Sequence, residues 1–97
     1  MGDLIQTRRE DLETRLVEGE LVILDLRSQR YLSLNRTGTA LWPLMVEGIA
    51  RSQLVDALAL GHDISLDVAE RDVDVLIGQL RDADLLAAET DAHAPNG

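Results

Sequence analysis

A chain of 97 residues, 45% of them hydrophobic, can build one modest core and is too short for two domains. Without cysteine it has no disulfide framework, thiol nucleophile or Cys-based zinc site, and no apolar run approaches the roughly 20 residues needed to cross a bilayer. A net charge of -9 with no lysine argues against nucleic acid, because phosphate binding needs clustered cations that release counterions.

Residues 1–11 lack the basic and apolar blocks of a secretory signal, so they read as an N-terminal segment of a soluble, cytoplasmic protein. Residues 12–17 alternate as a strand does. Glu18-Gly19 fits a two-residue hairpin turn, and 20–26 is rich in aliphatic and β-branched residues. After 27–29, a short strand over 30–34 completes an antiparallel meander. Pairing Val17 with Glu20 puts Leu12, Thr14, Leu16, Leu21 and Ile23 on one face, and a Ser28-Gln29 turn adds Leu32 and Leu34. This is the predicted core side. Val22, Leu24, Leu26, Tyr31 and Ser33 fall on the other face, which has more apolar groups than solvent requires; it suits a docked partner or a covering N-terminal segment.

From Asn35 the pattern turns helical. Asn35 and Thr37 are candidate caps of a first helix through Leu41, Trp42, Leu44, Met45 and Val46 that ends at Gly48, and Pro43 should kink it or delay its start. A second helix is predicted from Ser52 as N-cap to Gly61, and a third from Ser65 to about Leu85. Strands followed by helices give an α+β, winged-helix-like domain over 12–88, a three-stranded antiparallel sheet followed by three helices. Residues 89–97 have no apolar periodicity and read as a flexible tail.

On the third helix Ala69, Val73, Leu76, Leu80 and Ala83 form the core stripe, with Arg71, Asp74, Gly78 and Arg81 roughly opposite. Between them runs a mixed row, Val68, Asp72, Val75, Gln79 and Asp82, which suits a groove wall and an ordinary core boundary alike. Charge is uneven. From Arg27 to Val46 the only charged residues are Arg27, Arg30 and Arg36, whereas Asp63 to Asp91 holds nine acids against Arg71 and Arg81.

No residue set supports catalysis. His62 and His93 are far apart without acidic partners at ligand spacing, so neither a metal nor a catalytic role is assigned and no cofactor is expected. Asp72 and Asp74, like Asp82 and Asp84, lie two apart on a helix and so on different faces, a poor carboxylate pair. Gly61 and Gly78 form no phosphate-binding pattern. Trp42 reads as a core residue.

The run Tyr31-Leu32-Ser33-Leu34-Asn35-Arg36-Thr37-Gly38-Thr39-Ala40-Leu41-Trp42, preceded by the aliphatic 21–25 strand, resembles the PqqD-like family of RiPP recognition elements. Gly48 and an L-x-x-x-x-L-L close at Leu80, Leu85 and Leu86 extend the resemblance over about residues 12–88. It implies a non-catalytic protein that takes the leader region of a precursor peptide as an extra antiparallel strand on the 30–34 strand, its side chains set into a cleft against the third helix. Carried over to this sequence, the peptide-binding residues are Arg30, Tyr31, Leu32, Ser33 and Leu34 on the strand, and Asp72, Val75, Leu76, Gln79 and Asp82 on the helix. As a free-standing, acidic, Arg-only form, it is most similar to the leader-binding protein of lasso-peptide pathways. There the implied partners are a leader peptidase and a cyclase or other modifying enzyme, with no nucleic acid or membrane. The residues point the same way. Glu13 and Arg15 guard one edge of the meander, whereas the 30–34 edge has no proline, no lysine and no charge after Arg30, and so stays open to strand addition. Arg27, Arg30 and Arg36 flank that edge. The rival is a winged-helix DNA-binding regulator, which the acids on the third helix oppose.

Overall fold

The structure, a computed structural model, describes residues 4–89. Its first element lies in the segment that gave no pattern in the sequence: strand β1 (Leu4–Thr7), too short for alternation to show, buries Ile5 and Thr7 on one side. Next come β2 (Leu12–Val17), β3 (Glu20–Asp25) and β4 (Arg30–Leu34), an antiparallel sheet in the order β2-β3-β4. Glu18 and Gly19 both adopt positive φ, 52° and 86°, as the predicted two-residue turn requires, and Val17 pairs with Glu20.

The second turn differs from expectation. Asp25, not Arg27, pairs with Arg30, leaving a four-residue loop in place of the two-residue Ser28-Gln29 turn. The cause is the Asp25 carboxylate, whose Oδ1 accepts the Arg27 N–H at 2.9 Å and starts the turn early, while Gln29 donates to the Asp25 carbonyl at 2.7 Å. A shift of two residues preserves the side-chain face. Ile23 and Leu34 are accordingly buried, with Leu12, Leu21 and Leu32 packed at the core margin. Thr14 and Leu16 share this face but are exposed, Leu16 to 63%, because the outer half of β2 overhangs the helical layer.

Helix α1 (Arg36–Glu47) starts where Asn35 Oδ1 accepts the Gly38 N–H at 2.9 Å, so Asn35 is the cap and Thr37 lies inside. Pro43 sits within the helix without delaying its start. The helix stops at Gly48, whose φ of 94° suits glycine and whose N–H donates to the Leu44 and Met45 carbonyls. A two-residue strand, β5 (Ile49–Ala50), then pairs with β1, so α2 (Arg51–His62) begins directly after it, with Ala50 at its cap and Ser52 already helical. Gly61 also lies inside α2. Asp63 ends the helix by taking the left-handed conformation that aspartate tolerates.

Helix α3 (Leu66–Asp82) is capped by Ser65, whose hydroxyl accepts the Val68 N–H. It ends three residues before the predicted Leu85. Asp84 turns left-handed, and Leu85 folds back to donate its N–H to the Leu80 carbonyl at 2.8 Å and buries its side chain. The chain leaves as β6 (Leu86–Glu89), which pairs with β1 to give a second antiparallel sheet, β5-β1-β6. The L-x-x-x-x-L-L close is therefore a helix end, a turn and a strand. Tail residues 90–97, including His93, lie outside the described residues. Ala69, Val73, Leu76 and Leu80 form the core stripe as predicted, joined by Ile77, while Ala83 is a partly buried cap; Trp42 is buried in the same core.

One ion pair ties the two sheets. Arg8 Nη2 lies 2.8 Å from Asp25 Oδ2, both side chains over nine-tenths covered. Desolvation pushes the Asp25 carboxyl up, yet the Arg27 N–H, the Arg8 charge and Ser28 together outweigh it and hold Asp25 below its ordinary 3.8. A depressed folded-state pKa gives stability that is complete above about the ordinary value and is lost as pH falls through the lower folded value. The melting temperature is therefore expected to fall on acidification below about pH 4 more steeply in the wild type than in Asp25→Asn, which loses this pH-dependent contribution; thermal melts between pH 2 and 6, on the order of one per half unit, check it.

Candidate functional site

In the sheet order β2-β3-β4, the strand β4 has a neighbour on one side only, so its outer row of N–H and C=O groups is unpaired with any other strand among the described residues. β2 is the other edge, and its exposed Glu13 and Arg15 guard it. Across from the open edge of β4 runs α3. Two cavities mark the groove between them. At the Leu34 end, about 170 Å³ is enclosed by Asn35, Thr37 and Gly38 on one side and Asp72, Val75, Leu76 and Gln79 on the other. At the Arg30 end, about 220 Å³ is lined by Ile23, Asp25, Arg30, Tyr31 and Leu32 from the sheet and by Ala83 and Leu85 beyond the helix. β4 and α3 thus run in opposite directions along one trough.

The helix residues named from the sequence divide. Leu76 is a buried floor, whereas Asp72, Val75 and Gln79 are exposed and form the wall; Val75 is 58% exposed although apolar. Asp82 is exposed but lines neither cavity. On β4, Arg30, Tyr31 and Leu32 line the Arg30-end cavity. Leu34 is buried in the core and lines neither cavity, and Ser33 pairs with Val22 on the opposite face of the sheet. Tyr31 pairs with Leu24 on that opposite face and is 73% exposed, the placement pairing predicted; with Val22, Leu24 and Arg15 it also borders a depression of about 550 Å³ there.

Sequence reasoning missed Asn35, Thr37, Gly38, Ala83 and Leu85 as groove residues. Gly38 had a signal. A Cβ there would stand 3.2 Å from Leu34 Cβ and 3.3 Å from Leu76 Cδ1, so the glycine lets α1 close down on the strand and helix that border the cavity. Of the three arginines expected beside the open edge, Arg27 is held by Asp11 (Nε to Oδ2, 2.7 Å) and Arg36 turns toward the Gly19 hairpin, leaving Arg30 in the groove.

Among the described residues no group of three or more His, Cys, Asp or Glu side chains could hold a metal ion. No described helix is long and apolar enough to cross a membrane.

Comparison with known proteins adds to this geometry. The family model of coenzyme PQQ synthesis protein D (PqqD) matches residues 20–86. Among solved structures, the chain is similar to TbiB1 in complex with the TbiA(beta) leader peptide, with 25% identity and a TM-score of 0.74 over 86% of this chain and 96% of that one. Its fold is also that of a lasso peptide synthetase B1 complexed with the leader peptide, with 23% identity and a TM-score of 0.71 over 84% and 96%. No curated protein matches the sequence.

Proposed function

Because the chain belongs to the PqqD family, we propose that it binds the leader segment of a ribosomally made precursor peptide, of the lasso class, and presents it to separate processing enzymes. The observation that carries this reading is the open edge of β4 beside the α3 trough. An extended peptide added antiparallel to β4 gains main-chain hydrogen bonds, and its alternate side chains enter the two cavities. The solved relative with 25% identity was itself captured with a leader peptide. Arg30, Tyr31, Leu32, Ser33 and Leu34 supply the strand; Asp72, Val75 and Gln79 supply the wall over a Leu76 floor, with Asp82 beyond the two cavities at the end of the helix.

The binding unit is residues 12–88, with β1 bracing it from the second sheet. The protein performs no covalent step. The leader peptidase and the cyclase are separate chains working beside it in the cytoplasm, and the protein needs no cofactor, nucleic acid or membrane. The acids on the exposed side of α3, Asp67, Glu70, Asp72 and Asp74, would repel phosphate, which speaks against DNA binding through that helix.

Incubated with the precursor peptide encoded nearest its own gene, plus ATP and magnesium, the purified protein is expected to co-elute with a peptide of unchanged mass. A shifted mass in a demonstrably pure sample overturns the non-catalytic role, and failure to co-elute overturns leader binding.

A further inference from the structure

The two ends of the groove carry opposite charges that no ion pair among the described residues neutralises. At the Leu34 end Asp72 is exposed and is the only charged residue lining the cavity, whereas its neighbour Asp74 is held by Arg51 at 2.6 Å. Among the described residues no basic group lies within ion-pairing distance of Asp72: of the two arginines adjacent in sequence to the cavity lining, Arg36 turns toward Gly19 and Arg71 makes no ion pair with it. The first turn of α1 also opens here, and its dipole would favour an anion. Its Gly38 N–H is already taken by Asn35, however, and the helix end amounts to about half a charge against the full charge of Asp72. At the Arg30 end the balance reverses. Asp25 is neutralised by Arg8, and Arg30 has no acidic partner within that distance among the described residues; Asp82 and Asp84 flank Ala83 without lining the cavity. The rest of that lining is largely apolar: Ile23, Leu32, Ala83 and Leu85.

Resting on the leader-binding reading above, we infer that the groove selects leaders by charge polarity: an apolar side chain fills the Arg30-end cavity, and a Lys or Arg side chain is held by Asp72, with Gln79 beside it, at the Leu34 end. A strand antiparallel to β4 passes the Leu34 end first, so the basic residue precedes the apolar anchor. Side chains on one face recur every second residue at roughly 3.3 Å per residue, which places the cation about two to four residues before the anchor. The opposite polarity is disfavoured at both ends, by Asp72 against an acid and by Arg30 against a base. Asp72 is thus a specificity-determining residue, and its exposure sets the size of the effect at a few-fold per charge.

The test is selection of a displayed library of random peptides of about 12 residues, an extended length that spans the groove, against the wild type, Asp72→Arg and Val75→Glu. The wild type is expected to enrich Lys or Arg before an apolar residue, and Asp72→Arg to exchange that base for Asp or Glu. In a selected peptide, Lys→Gln should weaken binding to the wild type by about two- to fivefold and leave binding to Asp72→Asn unchanged. Identical enrichment by the wild type and Asp72→Arg overturns the polarity inference alone. No enrichment by the wild type, or binding of the selected peptides that Val75→Glu leaves undiminished, overturns the leader-groove reading beneath it.

Discussion

Val75→Glu is expected to lower leader affinity by about ten- to a hundredfold while leaving the melting temperature close to that of the wild type. Val75 is 58% exposed in the free protein and lies off the buried stripe of α3, so a glutamate there keeps its carboxylate in water and costs the fold little. The residue also lines the Leu34-end cavity. When the leader strand docks, the new carboxylate is covered beside Asp72, and the one leader base that Asp72 holds cannot pair fully with both, so one of two adjacent carboxylates is left uncompensated. Burying a polar group without compensation costs roughly 1 to 3 kcal/mol in protein settings, the scale that applies to a carboxylate at a groove rim that keeps part of its hydration, and each 1.4 kcal/mol or so is a factor of ten in affinity. Calorimetric titration beside a thermal melt separates the two quantities. Unchanged affinity in a folded mutant would mean that the row holding Val75 is a solvated boundary and that the peptide sits elsewhere.

Five residues along the same helix the expected result inverts. Leu80 is fully buried, in the stripe that packs α3 into the core beside α2. Leu80→Ala removes three carbons and leaves a cavity that its neighbours fill only in part, at a cost of roughly 2 to 5 kcal/mol. A domain of this size has only about 5 to 15 kcal/mol of stability in all. The melting temperature should fall by on the order of 10 to 30 °C, and leader binding should fail only where the mutant has unfolded. Urea denaturation followed by circular dichroism measures this, and a loss below about 0.5 kcal/mol would mean that α3 is not anchored through this residue.

How far the sequence reached can be traced element by element. The meander of β2, β3 and β4 was legible because alternation, a Glu-Gly turn and β-branched residues all act locally, and the core stripe of α3 because helical periodicity over 17 residues is unambiguous. The second sheet was not legible. β1, β5 and β6 are 4, 2 and 4 residues long, and each exists only because the others pair with it, so no local pattern announces any of them. The same long-range pairing explains two of the misplaced boundaries, since β5 sets the start of α2 and β6 draws Leu85 out of α3. For the site, the open edge followed from pattern, whereas the row of Asp72, Val75 and Gln79 suited a groove wall and a core boundary alike until the resemblance pointed to the cleft. The floor at Gly38 and the margin at Ala83 and Leu85 followed from neither, because they depend on how closely α1 and the end of α3 approach the sheet. The arginines show the limit of reading charge along a chain: Arg27 and Arg36 stand near the edge in sequence, but one is bound to Asp11 and the other turned toward the hairpin.

The central claim is that a leader adds to the fold as a strand on β4. Amide hydrogen exchange, recorded residue by residue with and without saturating leader peptide, tests it most directly, because a new strand protects the N–H groups to which it bonds. Slowed exchange within Tyr31–Leu34, with the opposite edge at Glu13–Arg15 unchanged, is the predicted result. Protection along β2 instead, or none along β4 while the peptide is demonstrably bound, would contradict it.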